Sequence, residues 1–138
     1  MSLFNVFNVT GSAMSAESVR LNTTSSNLAN ANSVSSSAEE TYRARHPVFA
    51  AALESASYNR EDSVPVQVNG IVESEKPLRA EYNPEHPLAN AEGYIYKPNV
   101  NVMEEMANMI SASRSYQSNV QVADASKQML MQTLQMGK

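Results

Sequence analysis

The side chains that most often catalyse reactions or bind metals are sparse in this sequence. His46 and His86 are its only histidines, each directly precedes a proline, and there is no cysteine. The two histidines with Glu81 or Glu85 would supply zinc-ligand types, but their spacing matches no recognised zinc pattern. The serines form no Gly-x-Ser-x-Gly element, and the four glycines form no phosphate-binding loop. The sequence therefore predicts no catalytic, cofactor-binding or metal-binding residue, and no enzyme.

Charge and hydropathy exclude further classes of partner. The net charge is −4 and the pI about 5.1, whereas binding to nucleic acid requires a basic surface. No segment approaches the roughly 20 apolar residues that span a bilayer, so direct membrane insertion is not expected. A secretory signal begins with basic residues and continues with an apolar run. Here the first basic residue is Arg20, so we expect export, if any, without a cleaved signal peptide.

Helix-breaking residues divide the chain into three parts. All six prolines and two of the four glycines lie within residues 33–100. This distribution predicts an N-terminal assembly helix over residues 1–32, a central β-rich domain and connector over 33–100, and a C-terminal assembly helix over 101–138. The predicted fold is mainly α with a small β insert. Long N- and C-terminal helices form a coiled-coil-like pair, with a small antiparallel β domain between them.

The C-terminal segment carries the clearest helical pattern. Asn101 can cap the helix, and Glu104 and Glu105 place negative charge at its positive end. Steps of four and three residues connect Val102, Met106, Met109, Ser113, Tyr116, Val120, Ala123, Lys127, Leu130 and Leu134. A seam of this length requires another long helix as its partner.

The N-terminal segment supplies such a helix, with two rows of residues spaced by seven. The bulky row is Phe7, Met14, Leu21 and Leu28, and the neighbouring, mostly small row is Phe4, Gly11, Ser18, Ser25 and Asn32. The serines and threonines lower helix propensity, so the segment needs a partner to become helical. The pattern permits either an ordinary amphipathic core or an assembly between subunits, and the length of the C-terminal seam favours assembly. We expect the small row to mark a close contact between helices.

The central part combines strands with a proline-rich connector. Strands are predicted over residues 41–53 and 64–72, the second continuing through Asn69-Gly70, with a return strand over 78–82. The connector that follows has two X-Pro steps, which force extended backbone, and Gly93 can adopt positive φ. We interpret it as a rigid connector that aims the central domain relative to the helices. Its residues are Tyr82, Asn83, Pro84, His86, Pro87, Ala89, Asn90, Gly93, Tyr94, Pro98 and Asn99.

Three motifs, in this order, resemble those of the rod–hook family of flagellar axial proteins. The first is Ser26-Asn27-Leu28-Ala29-Asn30-Ala31-Asn32. The second runs from Tyr82-Asn83-Pro84 to Gly93-Tyr94 and is followed by Pro98-Asn99-Val100. The third is Ala112-Ser113-Arg114-Ser115-Tyr116-Gln117-Ser118-Asn119. The short chain, and Ser33-Val34-Ser35 in place of the family's usual Thr-Pro-Gly-Tyr, resemble the proximal-rod branch.

This resemblance implies a structural subunit of the basal-body rod, a hollow, periplasm-spanning helical tube that transmits torque. Its implied partners are further copies, other rod proteins and, during secretion, the flagellar type III export apparatus. The motif residues Asn27, Asn30, Arg114 and Asn119 join the expected assembly interface. Another axial protein of the same family is the main alternative, and a small metal-binding protein is a weaker one.

Overall fold

A computed structural model describes residues 3–52 and 64–137 of the chain. Its elements in chain order are helix α1 (Leu3–Asn30), strands β1 (Arg45–Ala51), β2 (Val66–Glu73), β3 (Arg79–Tyr82) and β4 (Tyr94–Lys97), and helix α2 (Val102–Met136). Two long helices thus flank two small antiparallel sheets, which confirms the predicted mainly helical fold with a β insert. Neither described helix is long and apolar enough to cross a membrane.

Helix α2 begins where the sequence predicts. The Asn101 backbone is extended, and its side-chain oxygen accepts a hydrogen bond of 3.2 Å from the backbone N–H of Met103. This bond satisfies one of the N–H groups that lack a partner at a helix start. The carboxylate of Glu104 lies 3.7 Å from the Lys76 ammonium group, so the first turn also contacts the segment after β2.

The two helices run antiparallel and pack against each other. Asn27, near the end of α1, donates a hydrogen bond of 2.9 Å to Glu105, near the start of α2. Arg20 donates a bond of 3.1 Å to Asn108, one turn further along α2. The predicted helix pair is therefore confirmed, and the partner that α1 requires lies within the same chain.

Hydroxyl groups on the inner face of the pair bond to their own helices. Thr10 donates to the Val6 carbonyl at 2.8 Å, and Ser126 donates to the Val122 carbonyl at 2.8 Å. Thr23 makes the same kind of bond to a carbonyl one turn earlier. Because these bonds satisfy the hydroxyl protons locally, the side chains can be buried without a partner on the facing helix.

Strands β1 and β2 form a two-stranded ribbon that packs on α1. The ladder runs from the Arg45–Glu73 pair to the Ala51–Val66 pair, with a bulge between Val48 and Phe49 where Asn69 has no opposite residue. As predicted, β2 continues through Asn69-Gly70 without turning. The first strand is shorter than the predicted range 41–53, and residue 53 lies outside the described residues.

Strands β3 and β4 form the second sheet, which corrects the predicted return of residues 78–82 onto the preceding strand. Residues Arg79–Tyr82 pair with Tyr94–Lys97 and not with β2. Pro77 and the turn before it carry the chain away from the ribbon. The serine-rich loop after α1, residues 33–37, is held to this sheet because Ser35 and Tyr96 exchange two backbone hydrogen bonds of 3.0 and 2.9 Å.

The buried core is thin and largely polar. Its hydrophobic members within the described residues are Ala16, Ala44, Ile95, Val100 and Ala112. Among side chains that are fully buried, the largest are Ile95 and Asn27, of which one is an amide. A core of this kind removes little apolar surface from water, so it holds few large side chains in place.

Candidate assembly surface

Small and polar side chains form the inner face of α2. The buried residues of this helix are Glu105, Ala112 and Ser126, and the half-buried Asn119 completes a row with seven-residue spacing. The buried residues of α1 are likewise small or polar, namely Thr10, Ala16, Thr23, Thr24 and Asn27.

The inner face therefore differs from the seam predicted from apolar residues. Four residues of the predicted seam, Met109, Tyr116, Ala123 and Leu130, flank the buried row. The predicted residues that alternate with them lie one position away from the residues that are buried. Val102, Met106 and Lys127 are exposed, and Glu105, Ala112 and Ser126 take the central places. The physical reason is size, because alanine and serine let two backbones approach where methionine would hold them apart.

Asn27 connects three segments of the chain through its side chain. Its amide nitrogen donates to the Arg45 carbonyl at 2.8 Å and to the Glu105 carboxyl at 2.9 Å. Its amide oxygen accepts from the Arg45 N–H at 2.9 Å and from the Tyr42 hydroxyl at 2.8 Å. All four hydrogen-bonding positions of the amide are thus occupied, although the residue has 0% exposure.

Most of the large apolar side chains of α2 are exposed. Those exposed on this helix include Leu134 at 62% and Met136 at 81%. The others are Val102, Met103, Met106, Ile110, Tyr116, Val122, Met129 and Met131. A helix that buries small polar residues and exposes bulky apolar ones presents an apolar surface to the outside of the chain.

The outer face of α1 is flat. Phe4 is exposed, and so are the small residues Gly11, Ser18 and Ser25 of the predicted close-contact row. A Cβ atom added at Gly11 would meet nothing within 4 Å. This row therefore does not contact α2 of the same chain, and its expected close contact remains a prediction about a second subunit.

The remaining predicted interface residues divide between the two faces. Half-buried on α1 are Phe7, Met14, Leu21, Leu28 and Asn30. Half-buried on α2 are Met109, Ser113, Asn119, Val120, Ala123 and Leu130, while Arg114 is exposed. Their role between subunits remains a prediction.

The connector is a structured loop between β3 and β4. The Asn90 side-chain oxygen accepts from the backbone N–H groups of Glu92 and Tyr94, at 3.0 and 2.9 Å. Gly93 has φ of +82°, as its predicted role requires, and the Tyr82 and Tyr94 rings meet edge to face at 5.2 Å. These contacts define one loop shape.

The end of the connector is fastened to the ribbon by Asn99. Its oxygen accepts from the Ala44 N–H at 2.8 Å, and its nitrogen donates to the Ser74 and Lys76 carbonyls at 3.2 and 2.8 Å. The segment that leads into α2 is thereby tied to the chain on both sides of the Arg45–Glu73 end of the β1–β2 ribbon.

Neither histidine lies in a cluster of potential metal ligands. His46 is in β1 opposite Val72, whereas the His86 ring nitrogen accepts a bond of 3.1 Å from the Leu88 N–H within the connector. Across residues 3–52 and 64–137, no three His, Cys, Asp or Glu side chains are grouped so that they could hold a metal ion.

Two protein families match parts of the chain. Residues 7–35 match the family described as "Flagella basal body rod protein", and residues 91–136 match "Flagellar basal body rod FlgEFG protein C-terminal". Most of α1 lies in the first match, and β4 and α2 lie in the second.

Curated relatives match over the full length. The "Flagellar basal-body rod protein FlgC" of Yersinia enterocolitica is 44% identical, and the protein of that name from Escherichia coli O157:H7 is 45% identical. The Bacillus subtilis protein of the same name is 35% identical. Each alignment covers 100% of both chains.

The chain belongs to the FlgC family of flagellar basal-body rod proteins. FlgC membership makes it a structural protein of the basal-body rod, which agrees with the resemblance read from its three motifs.

Several residues that hold this FlgC-family chain together are not among those predicted from the sequence. Glu105 was assigned only to the first turn of α2, yet it is 2% exposed and bonded to Asn27. Tyr42 and Arg45 were not assigned to any contact, although both bond to Asn27. The one available signal was the spacing of seven residues from Glu105 to Ala112, Asn119 and Ser126, which an apolar criterion overlooks.

Proposed function

We propose that this chain builds the flagellar rod through the outward faces of its two terminal helices. In this proposal residues 1–32 and 101–138 are the assembly helices, and residues 33–100 are the central domain and connector. The single observation that carries it is that α2 buries small or polar residues and exposes Met131, Leu134 and Met136. Since exposed apolar helix faces are costly in water, contact with neighbouring subunits would cover them.

The partners in this proposal are further copies of the chain and other rod proteins in a hollow helical tube that transmits torque. The protein has no catalytic activity, binds no metal and does not insert into the membrane. It reaches the periplasm through the flagellar type III export apparatus and not through a cleaved signal peptide. The thin core supports passage as an unfolded chain, because few large side chains have to be released from burial.

The proposal is tested by making the outer face of α2 polar without changing its shape. In a Met131→Gln/Leu134→Gln variant, the purified chain should keep its helicity and urea midpoint, because surface substitutions usually change stability by less than about 0.5 kcal/mol. Rods should nevertheless be absent from electron micrographs of isolated basal bodies, and swimming in soft agar should be lost.

The matched control is Lys127→Gln, an exposed polar position on the same helix. It should leave both the rods and swimming unchanged. Normal rods in cells that carry Met131→Gln/Leu134→Gln would refute the assignment of the outer face.

A further inference from the structure

We propose that the buried Asn27–Glu105 pair sets the register of α1 against α2. This inference rests on the proposed function, because the register decides how the outward faces of the two helices are aligned for assembly. The pair then acts as a positioning device within the subunit.

The small central row of α2 does little to distinguish one register from the next. The central row of α2 repeats every seven residues as Glu105, Ala112, Asn119 and Ser126. On α1 the buried Thr24, which lies beside Arg20 and Asn108, is similarly small. In coiled coils, large knobs that enter matching holes resist sliding, and a single buried polar residue can specify the register instead.

Asn27 is fixed to its own side of the interface independently of α2. Its bonds to the Arg45 backbone and to the Tyr42 hydroxyl hold the amide against the segment that leads into β1. The Arg45 guanidinium also lies 5.6 Å above the Tyr42 ring, which completes the cluster. The second amide hydrogen therefore points at one place on α2, where Glu105 accepts it.

A slip of one heptad would leave this hydrogen without a partner. Ala112 would then lie opposite Asn27, and alanine has no side-chain acceptor. Glu105 would lose its bond while buried, and an unpaired buried carboxyl group is strongly unfavourable.

The hydrogen bond from Arg20 to Asn108, which also joins the helices, discriminates less between the two registers. After the same slip, Arg20 would face Ser115 in place of Asn108, and the serine hydroxyl can also accept from the guanidinium group. The Arg20 hydrogen bond can therefore form in both registers, whereas the hydrogen bond from Asn27 to α2 can form in only one.

The consequence for assembly is geometric. A heptad slip moves α2 by about 10 Å along α1, at 1.5 Å per residue. The exposed side chains of α2 would move by that distance relative to the outer face of α1 and to the ribbon. In a helical array every subunit would repeat the error.

The register can be measured by pulsed electron spin resonance on the purified full-length chain. The sequence contains no cysteine, so Ser25→Cys and Lys127→Cys would carry the only two spin labels. Both positions are exposed, and they are separated mainly along the helix axes. In the otherwise unchanged chain we expect one interspin distance, and a heptad slip should shorten it by about 10 Å.

The pair is then altered in this labelled background. Asn27→Leu/Glu105→Leu should add a second, shorter distance, because the polar requirement is gone. Glu105→Gln keeps an oxygen that accepts from Asn27, so it should retain the single original distance. One unchanged distance in the double-leucine variant would overturn the inference.

Circular dichroism first establishes that the double-leucine variant is helical. If the double-leucine variant is not helical, Glu105→Ala is measured in its place. A second, shorter interspin distance is again expected, and a single unchanged distance would again overturn the inference. The measurement needs no rod, so it fails or succeeds independently of the assembly proposal. A second distance together with normal rods in cells carrying the same variant would overturn the link between register and assembly.

Discussion

At the scale of single residues, amide side chains hold this FlgC-family protein together more than apolar ones do. Asn27 joins α1 to Glu105 and to the segment before β1, and Asn99 joins the start of α2 to the Arg45–Glu73 end of the ribbon. Each amide donates and accepts at once, so one residue can fix several backbone segments. Both residues lie within the parts of the chain that match flagellar rod families.

Gly93 is the residue whose backbone most constrains its replacement. A Cβ at this position would lie 2.8 Å from Cε2 of Tyr82, and φ is +82°. We expect Gly93→Ala to lower the free energy of unfolding by at least about 1–2 kcal/mol, the usual cost of left-handed backbone in a residue with a side chain. Urea denaturation followed by circular dichroism measures this change.

Gly70→Ala is the matched control for Gly93→Ala. A Cβ at Gly70 would meet nothing within 4 Å, and its φ is not positive. This substitution should leave the urea midpoint nearly unchanged. Equal effects of the two substitutions would show that the connector shape does not depend on Gly93.

At the scale of elements, the two helices use opposite surfaces for different purposes. Their facing surfaces are small and polar, with hydroxyl groups bonded to their own backbones. Their outer surfaces differ from each other, since α2 exposes methionine and leucine while α1 exposes glycine and serine. We infer that a bulky face of one subunit packs onto a flat face of another in the rod.

A size series at Gly11 tests this packing. Alanine and leucine both raise helix propensity by up to about 1 kcal/mol relative to glycine, and Gly11 has open space around it. Gly11→Ala and Gly11→Leu should therefore stabilise the isolated chain to similar extents in urea. Only Gly11→Leu should reduce rod formation and swimming, because overpacking an interface typically costs about 1–3 kcal/mol per site.

The alanine variant controls for helix propensity at the same position as the leucine variant. Swimming by the Gly11→Leu strain at the rate of the Gly11→Ala strain would show that this face stays open in the rod.

At the scale of the whole molecule, residues 3–52 and 64–137 form two helices and two small sheets around a core with few large apolar side chains. Ion pairs such as Arg45 with Glu73, at 3.2 Å, lie on the surface and contribute little to the stability of the fold. The stability of the single chain therefore depends on the buried amides and on close contact of small residues. Contacts with neighbouring subunits would supply the apolar burial that the chain alone lacks.

We expect the isolated chain to unfold with a free energy below about 5 kcal/mol, the lower end of the usual range. Urea denaturation of dilute full-length protein measures it, and light scattering at the same concentration verifies that the sample is monomeric. A value well inside the usual range would contradict the idea that the subunit is stabilised mainly by assembly. It would also weaken the argument that the chain is easily exported unfolded.

The sequence by itself determined the architecture. Six prolines confined to the centre, a heptad pattern over the last 35 residues and the Asn101 cap specified two terminal helices and a β insert. The same local rules gave the strand that continues through Asn69-Gly70 and the positive φ of Gly93. These features depend on neighbours in the chain, so local sequence is sufficient to predict them.

Only the tertiary structure decided which face of each helix turns inward and how the strands pair. An apolar criterion assigned Met106 to the seam, whereas Glu105 is buried because Asn27, 78 residues away, meets its carboxyl group. Likewise, β3 pairs with β4 because the turn after β2 redirects the chain. Such choices depend on groups that are far apart in the sequence. In addition, a subunit whose apolar surface is covered by neighbouring subunits need not bury its most apolar helix face within its own fold.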